Sequence, residues 1–474
     1  MTVLWKKLYN FNMKHFFTEI SLFIFATVIL SCPQGNSLID EEPIEDESVY
    51  DVSSAVMLQA FTWQSCSQSK TWWNTIKDKA EEIKDTFDYV WFPPVSDSTS
   101  TNGYLPRQLK NYSSSYGSKD ELTAAIDSIK PAKAVADIVI NHRCGTTSWG
   151  DFTNPSFGTV KGSNYQAICS GDEGFSSDEY MKKVSSSMRG QKDSGDSYAS
   201  GRDLDHTNVT VQEEIVDWMD ELKSMGFCGW RYDYVRGYDG KYTGYYNEKT
   251  DAQFSVGEYW PENFNLTAWA YKLNSWVDKT GDSVNSLEGR KSLVFDFVLK
   301  GNMNSVFGQT DNASNKNYDL FANAYNMYRK RPGFAVTFVE NHDTGSTQKL
   351  WPQDKSDLGA AYALILTHPG VPCVAAEHYF TSGTSDVIGS SKVNGSDLTY
   401  HELILKLIEL RKSCGIKNMS SIETLTAKSN EYTAKITGQN ASVICSLGNK
   451  LYDLPEGYTV YVSGTGFAVY TNLE

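Results

Sequence analysis

Ala134-Val135-Ala136-Asp137-Ile138-Val139-Ile140-Asn141-His142 carries apolar residues on both of its faces from Val135 to Ile140. A strand with one wet face alternates apolar and polar residues, so this run reads as a strand buried on both sides, the mark of a parallel sheet covered by helices. Upstream the same rhythm repeats. Val56-Met57-Leu58-Gln59 reads as a first strand, Thr71 to Ile83 as a helix, and Tyr89-Val90-Trp91-Phe92, stopped by Pro93-Pro94, as a second strand. Lys119 to Ile129 reads as the helix leading into the third. Downstream, strands are expected at Gly229, Phe254, Leu293, Ala335 and from Val371 to Ala376, with a helix from Val211 to Met225. Eight such units predict an α/β fold, a closed (β/α)8 barrel.

Three of these runs end on an acid. They are Gly229-Trp230-Arg231-Tyr232-Asp233, Phe254-Ser255-Val256-Gly257-Glu258 and Ala335-Val336-Thr337-Phe338-Val339-Glu340-Asn341-His342-Asp343. A lone strand-end Asp is usually a cap, but carboxylates at successive strand ends point to glycosidic-bond chemistry, which needs one proton donor and one ionised partner. Asp233 and Glu258 would project from neighbouring strands roughly 5 Å apart. That spacing favours the retaining geometry of about 5–5.5 Å over the wider inverting one. Arg231, two residues before Asp233 on the same strand face, would keep that acid charged.

Taken in order, the four runs resemble the motifs of the α-amylase family of glycoside hydrolases, most closely the plant-type members. The resemblance runs from about Ala55 to the C-terminus and includes Gln59-Ala60-Phe61-Thr62-Trp63, Gly103-Tyr104-Leu105-Pro106, Asp203-Leu204-Asp205-His206 and Leu366-Thr367-His368-Pro369-Gly370-Val371-Pro372-Cys373. It implies Asp233 as nucleophile, Glu258 as acid and base, and Asp343 as a substrate-holding third acid assisted by His342. It also implies sugar contacts from His142, read as ending the third strand, and a stacking face from Tyr104. Arg236, before Gly237-Tyr238, matches a plant-type Lys and would place a cation at a product-side subsite, or stand solvated at the surface.

Between Asn141 and about Asp205 the rhythm stops in a stretch rich in Gly, Ser, Asp and Thr. A segment that long without regular structure is expected to be functional. By resemblance it is an inserted domain pinned by calcium, with Asn141, Asp203 and the carbonyl of Gly237 as ligands and Asp193 as a further carboxylate; hard oxygen donors suit Ca²⁺. The sequence departs from the family pattern at Arg202, where Pro is common, at Glu340, where Asp is common, and at Ala375-Ala376, where plant relatives carry bulkier residues.

The chain of 474 residues fits a barrel with an insertion and a small partner domain. We expect a leader and tether over 1–50, the barrel over 51–140 and 206–378, the insertion over 141–205, and a C-terminal helix plus antiparallel β domain over 379–474. A formal charge of −15 without a long basic run argues against nucleic acid or an anionic membrane as the main partner and is compatible with a neutral polysaccharide such as starch. Lys6, Lys7 and Lys14 precede an apolar run from Ile20 to Leu30, too short to span a bilayer and fitting a secretory signal. Ile29-Leu30-Ser31-Cys32 then resembles a lipoprotein cleavage box, which predicts export with a lipid anchor at Cys32; an ordinary cleaved signal is the alternative. Eight scattered cysteines argue against a disulfide framework, although Cys144 and Cys169 could pair. No transmembrane helix is expected, and a monomer is. A transglycosylating or maltooligosaccharide-forming relative would carry the same residues; a non-catalytic surface glycan binder would have no need of Glu258.

Overall fold

The structure, a computed structural model, describes residues 48–67, 71–261, 265–308, 316–323, 325–345, 347–350 and 352–474. The expected signal and the Cys32 anchor lie outside them. Eight parallel strands close into a barrel in chain order: β1 Met57–Gln59, β2 Tyr89–Phe92, β3 Lys133–Ile138, β4 Phe227–Tyr232, β5 Phe254–Gly257, β6 Leu293–Phe295, β7 Ala335–Phe338 and β8 Val371–Ala375. Closure is made by β1 against β8, with Met57 paired to Cys373 and Gln59 to Ala375. The barrel is filled rather than hollow. Trp91, Phe295 and Phe338 pack against one another across its interior, Trp91 tilted on Phe295 with ring centroids 5.6 Å apart and Phe295 edge to face with Phe338 at 5.5 Å.

The helices between strands carry legible start and stop signals. Ser118 and Glu121 form a reciprocal capping box on Lys119–Ser128, and Thr399 and Glu402 form another on Tyr400–Cys414, which ends at Gly415 in the left-handed region at φ 68°. The single helix expected over Thr71–Ile83 is instead two, Trp72–Asp78 and Ala80–Lys84. The break falls at Lys79, whose backbone leaves the helical region at φ −95°, ψ 5°, while its ammonium meets Glu82 at 2.9 Å and lies over the Phe380 ring.

Five antiparallel strands follow: β9 Ser421–Lys428, β10 Glu431–Thr437, β11 Ser442–Gly448, β12 Thr459–Gly464 and β13 Phe467–Thr471, in the order β9-β10-β11-β13-β12. The sheet is fastened to the barrel by buried polar contacts. Tyr432 hydroxyl lies 2.8 Å from His368 Nε2 and accepts from Arg329 Nη2 at 2.7 Å. Among the described residues no helix is long and apolar enough to cross a membrane. Cys144 and Cys169 do not pair; each is a separate buried thiol, its pKa pushed up by burial.

Candidate active site

Tyr232 is paired with Gly257 at the ends of β4 and β5, so Asp233 and Glu258 are the next residues on adjacent strands. The ladder runs on for one step: Asp233 N–H donates to Ile138 O at 3.0 Å and Glu258 N–H to Tyr232 O at 2.9 Å. Immediately after Asp233 the chain turns sharply, with Tyr234 in the left-handed region at φ 45°. A non-glycine residue held there costs energy, and such strain gathers at functional sites. The turn delivers Tyr234 N–H to Glu258 Oε2 at 3.4 Å.

Both acids meet one guanidinium. Arg231 is fully buried; its Nη1 donates to Asp233 Oδ1 at 2.8 Å and to Asp137 Oδ1 at 2.8 Å. Its Nη2 stands 2.9 Å from Glu258 Oε1, a close ion contact not aligned as a hydrogen bond. The guanidinium lies 4.7 Å from the centre of the Trp91 ring and 5.8 Å from that of Tyr104. Burial opposes the charge on Arg231, but Asp137, Glu258 and neighbouring groups hold its pKa well above the usual value.

Burial also raises the acids, and Arg231 draws them back down. Asp137 and Asp343 are pushed up to about 6, Asp233 to about 7 and Glu258 to about 8. The charge of Asp343 adds to the rise of both Asp233 and Glu258. The proton is therefore held most firmly by Glu258, whose Oε1 makes no aligned hydrogen bond.

Asp343 does not close a strand. β7 stops at Phe338, and Asn341 Oδ1 then accepts the N–H groups of Asp343 and Thr344 at 3.0 and 2.9 Å, making a side-chain-capped turn. That turn brings His342 Nε2 to 3.3 Å from Asp343 Oδ2, while Gln59 Nε2 lies 2.9 Å from His342 Nδ1. Burial lowers the His342 pKa well below its usual value, so the ring is neutral, and Tyr104 stacks on it at 5.1 Å. Tyr104 hydroxyl donates to Asp137 Oδ2 at 2.8 Å.

His142 also lies past its strand: β3 ends at Ile138, and His142 pairs instead with Asp203 in a two-residue antiparallel ladder. Its Nε2 lies 2.8 Å from Tyr104 O and its Nδ1 3.3 Å from Asn141 Nδ2, and burial lowers its pKa to about 4. Tyr198, from the insertion, covers the ring face to face at 3.8 Å. Arg236 points at the insertion: its Nε is 3.6 Å from Asp196 Oδ2 and its Nη2 donates to Tyr234 hydroxyl at 3.2 Å.

At the root of the insertion, Asn141 Oδ1, Asp193 Oδ2 and Asp203 Oδ1 are buried oxygens with no hydrogen-bond partner. Asn141 spends its amide nitrogen on His142, which leaves the oxygen as the orphan. Gly237 packs directly over it, since a Cβ there would fall 1.9 Å from Asn141 Oδ1. Burial and the charges of Asp193, Asp172 and Glu173 push Asp203 up to about 8, and burial raises Asp193 as well. Orphaned buried oxygens carrying mutually repelling charge are costly unless a cation joins them, and an all-oxygen donor set could hold a hard one.

Residues 67–377 match the model of the family described as alpha amylase, catalytic domain. A probable alpha-amylase 2 of Arabidopsis thaliana is 33% identical over 431 residues, covering 88% of this chain and 93% of its own. The chain belongs to the α-amylase family. It is thus a glycoside hydrolase of a family that acts on α-glucans. A glucan 1,4-alpha-maltotetraohydrolase of Roseateles saccharophilus is 26% identical, covering 90% of this chain and 73% of that one. In fold, the chain resembles the crystal structure of an alpha-amylase from Geobacillus thermoleovorans complexed with acarbose, with TM-score 0.60, 14% identity and coverage of 88% and 98%.

Within this α-amylase-family chain, reading by motif passed over Asp137, the carboxylate that holds Arg231, Trp91 and Tyr104 together. Its signal was available: a charge inside a strand apolar on both faces must have a partner. Tyr198 and Gln59 gave no such signal, since both act through contacts distant in sequence. Arg202, standing where the family pattern favours Pro, is buried in ion pairs with Asp172 and, at 2.7 Å, Glu173.

Proposed function

We propose that the protein is an endo-acting, retaining α-amylase that hydrolyses α-1,4-glucosidic bonds in starch, glycogen and maltooligosaccharides through a covalent glycosyl-enzyme. The observation that carries this reading is the shared guanidinium: Arg231 touches Asp233 and Glu258 at 2.8 and 2.9 Å, which draws the two acids together at the tips of adjacent strands. Asp233 is the nucleophile. Arg231 holds its Oδ1 and favours its ionised form, leaving Oδ2 to attack the anomeric carbon. Glu258, the acid raised furthest, gives its proton to the leaving oxygen and then takes one from the water that releases the sugar. Asp343 and His342 hold ring hydroxyls, and Tyr104 presents a stacking face.

Asn141, Asp193 and Asp203, with the backbone at Gly237, would hold calcium, which would neutralise the facing carboxylates and fasten the insertion to the barrel. The leader supports export, as a secreted or lipid-anchored enzyme at the cell surface or outer membrane, and the chain is proposed to act as a monomer.

The test is digestion of soluble starch, following viscosity and reducing ends together. Endo-action predicts a fall in viscosity well ahead of the rise in reducing ends; parallel courses would reject it. A maltooligosaccharide-forming reading draws support from the Roseateles relative, and a single dominant product length in the same digest would favour it.

A further inference from the structure

Glu340, Glu377 and His378 form a buried cluster that the proposed catalysis leaves unused. Glu340 lies two residues past β7, and Glu377 and His378 lie in the short helix Ala376–Tyr379 that follows β8 directly. β7 and β8 are paired through Phe338 and Cys373, so the cluster sits at the rim that carries the catalytic acids, beside the turn holding His342 and Asp343. One ligand-type atom from each residue lies within 4.8 Å of the other two. All three side chains are more than nine-tenths buried.

Two details set the cluster apart from a simple ion pair. His378 Nε2 stands 3.1 Å from Glu340 Oε2, yet the contact is not aligned as a hydrogen bond and this buried nitrogen has no hydrogen-bond partner. The other ring nitrogen, Nδ1, lies 2.8 Å from the hydroxyl of Tyr362, the kind of outer contact that orients a ligating imidazole. Glu340 is oriented as well: its Oε1 accepts the Gln353 N–H at 2.5 Å, which leaves Oε2 to the cluster. Lys300, buried nearby, faces Glu340 with its positive charge. Gly345, just after the Asp343 turn, leaves the room Glu377 occupies, since a Cβ there would fall 2.5 Å from Glu377 Oε2.

We propose that Glu340, Glu377 and His378 bind one divalent transition-type cation, of the zinc class, separate from the all-oxygen site at Asn141 and Asp203. One imidazole and two carboxylates suit such an ion, whereas calcium favours a shell of oxygens alone. Bound there, it ties the end of β8 to the segment after β7 that carries His342 and Asp343. The site does not depend on the reading of the reaction.

The test is titration of the chelator-treated, refilled full chain with Co²⁺, calcium being present throughout to saturate the other site. One equivalent of Co²⁺ is expected, with visible ligand-field absorption that Zn²⁺ abolishes. His378→Gln and Glu377→Gln, checked by circular dichroism, should each lose that equivalent, and Tyr362→Phe should weaken it roughly ten- to hundredfold. No Co²⁺ uptake by the unmodified chain would overturn the proposal, leaving a Glu340–His378 ion pair. Equal uptake by both ligand variants would overturn it too.

Discussion

Asp137 and Arg231 are register partners on β3 and β4, and their side chains meet at 2.8 Å with no exposure to solvent. The pair fixes the guanidinium from below, so that its remaining reach goes to Asp233 and Glu258 above. Asp137→Asn keeps the shape and weakens a charged hydrogen bond worth about 1.5–3 kcal/mol. We expect kcat on starch to fall roughly ten- to hundredfold, with the melting temperature changed less than in Arg231→Met, where three buried carboxylates lose their counter-charge. An unchanged kcat in Asp137→Asn would remove Asp137 from the site.

The acids set a pH window. Activity should rise as Asp233 loses its proton, near about 7, and fall as Glu258 loses its own, near about 8, the two apparent values belonging to the pair. In Glu258→Gln, kcat should drop by about 10²–10⁴ while starch affinity is kept. The residual activity should lack the alkaline fall; an alkaline fall that persists would assign the proton elsewhere.

Removal of the proposed calcium has a signed pH dependence. Asp203 is raised in the folded chain from 3.8 to about 8, so the protonated form is the one folding favours. Without a cation, stability is fullest below about 3.8 and is lost as pH rises through about 8. A chelator should therefore lower the melting temperature more at pH 8 than at pH 5, and Asn141→Ala or Asp203→Asn should erase the calcium-dependent shift. Equal chelator effects at the two pH values would contradict the site.

Arg202 makes the insertion's own test. Arg202→Ala strands the buried carboxylate of Asp172 and should cost about 3–5 kcal/mol in denaturant unfolding. Adding Asp172→Asn should restore part of it, because the uncompensated charge goes.

The eight strands were legible because each is a short apolar run between turn residues, and β2 was read to the residue. Boundaries failed where composition outlasted pairing. The run through Asp343 looks like one strand, but the Asn341 turn bends it after Phe338, and His142 leaves β3 to pair with Asp203 far along the chain. The three acids and the orphaned oxygens of Asn141, Asp193 and Asp203 stood at motif positions. Asp137, Tyr198 over His142, and the Glu340–Glu377–His378 cluster were not, since each exists only when distant segments meet.

The central claim is that Asp233 and Glu258, held on one guanidinium, act as a retaining pair. The direct measurement is the anomeric configuration of newly released sugar, followed by proton NMR in the first minutes of maltooligosaccharide hydrolysis, before mutarotation. The account predicts the α-anomer first, relaxing later toward equilibrium. A β-anomer appearing first would contradict it.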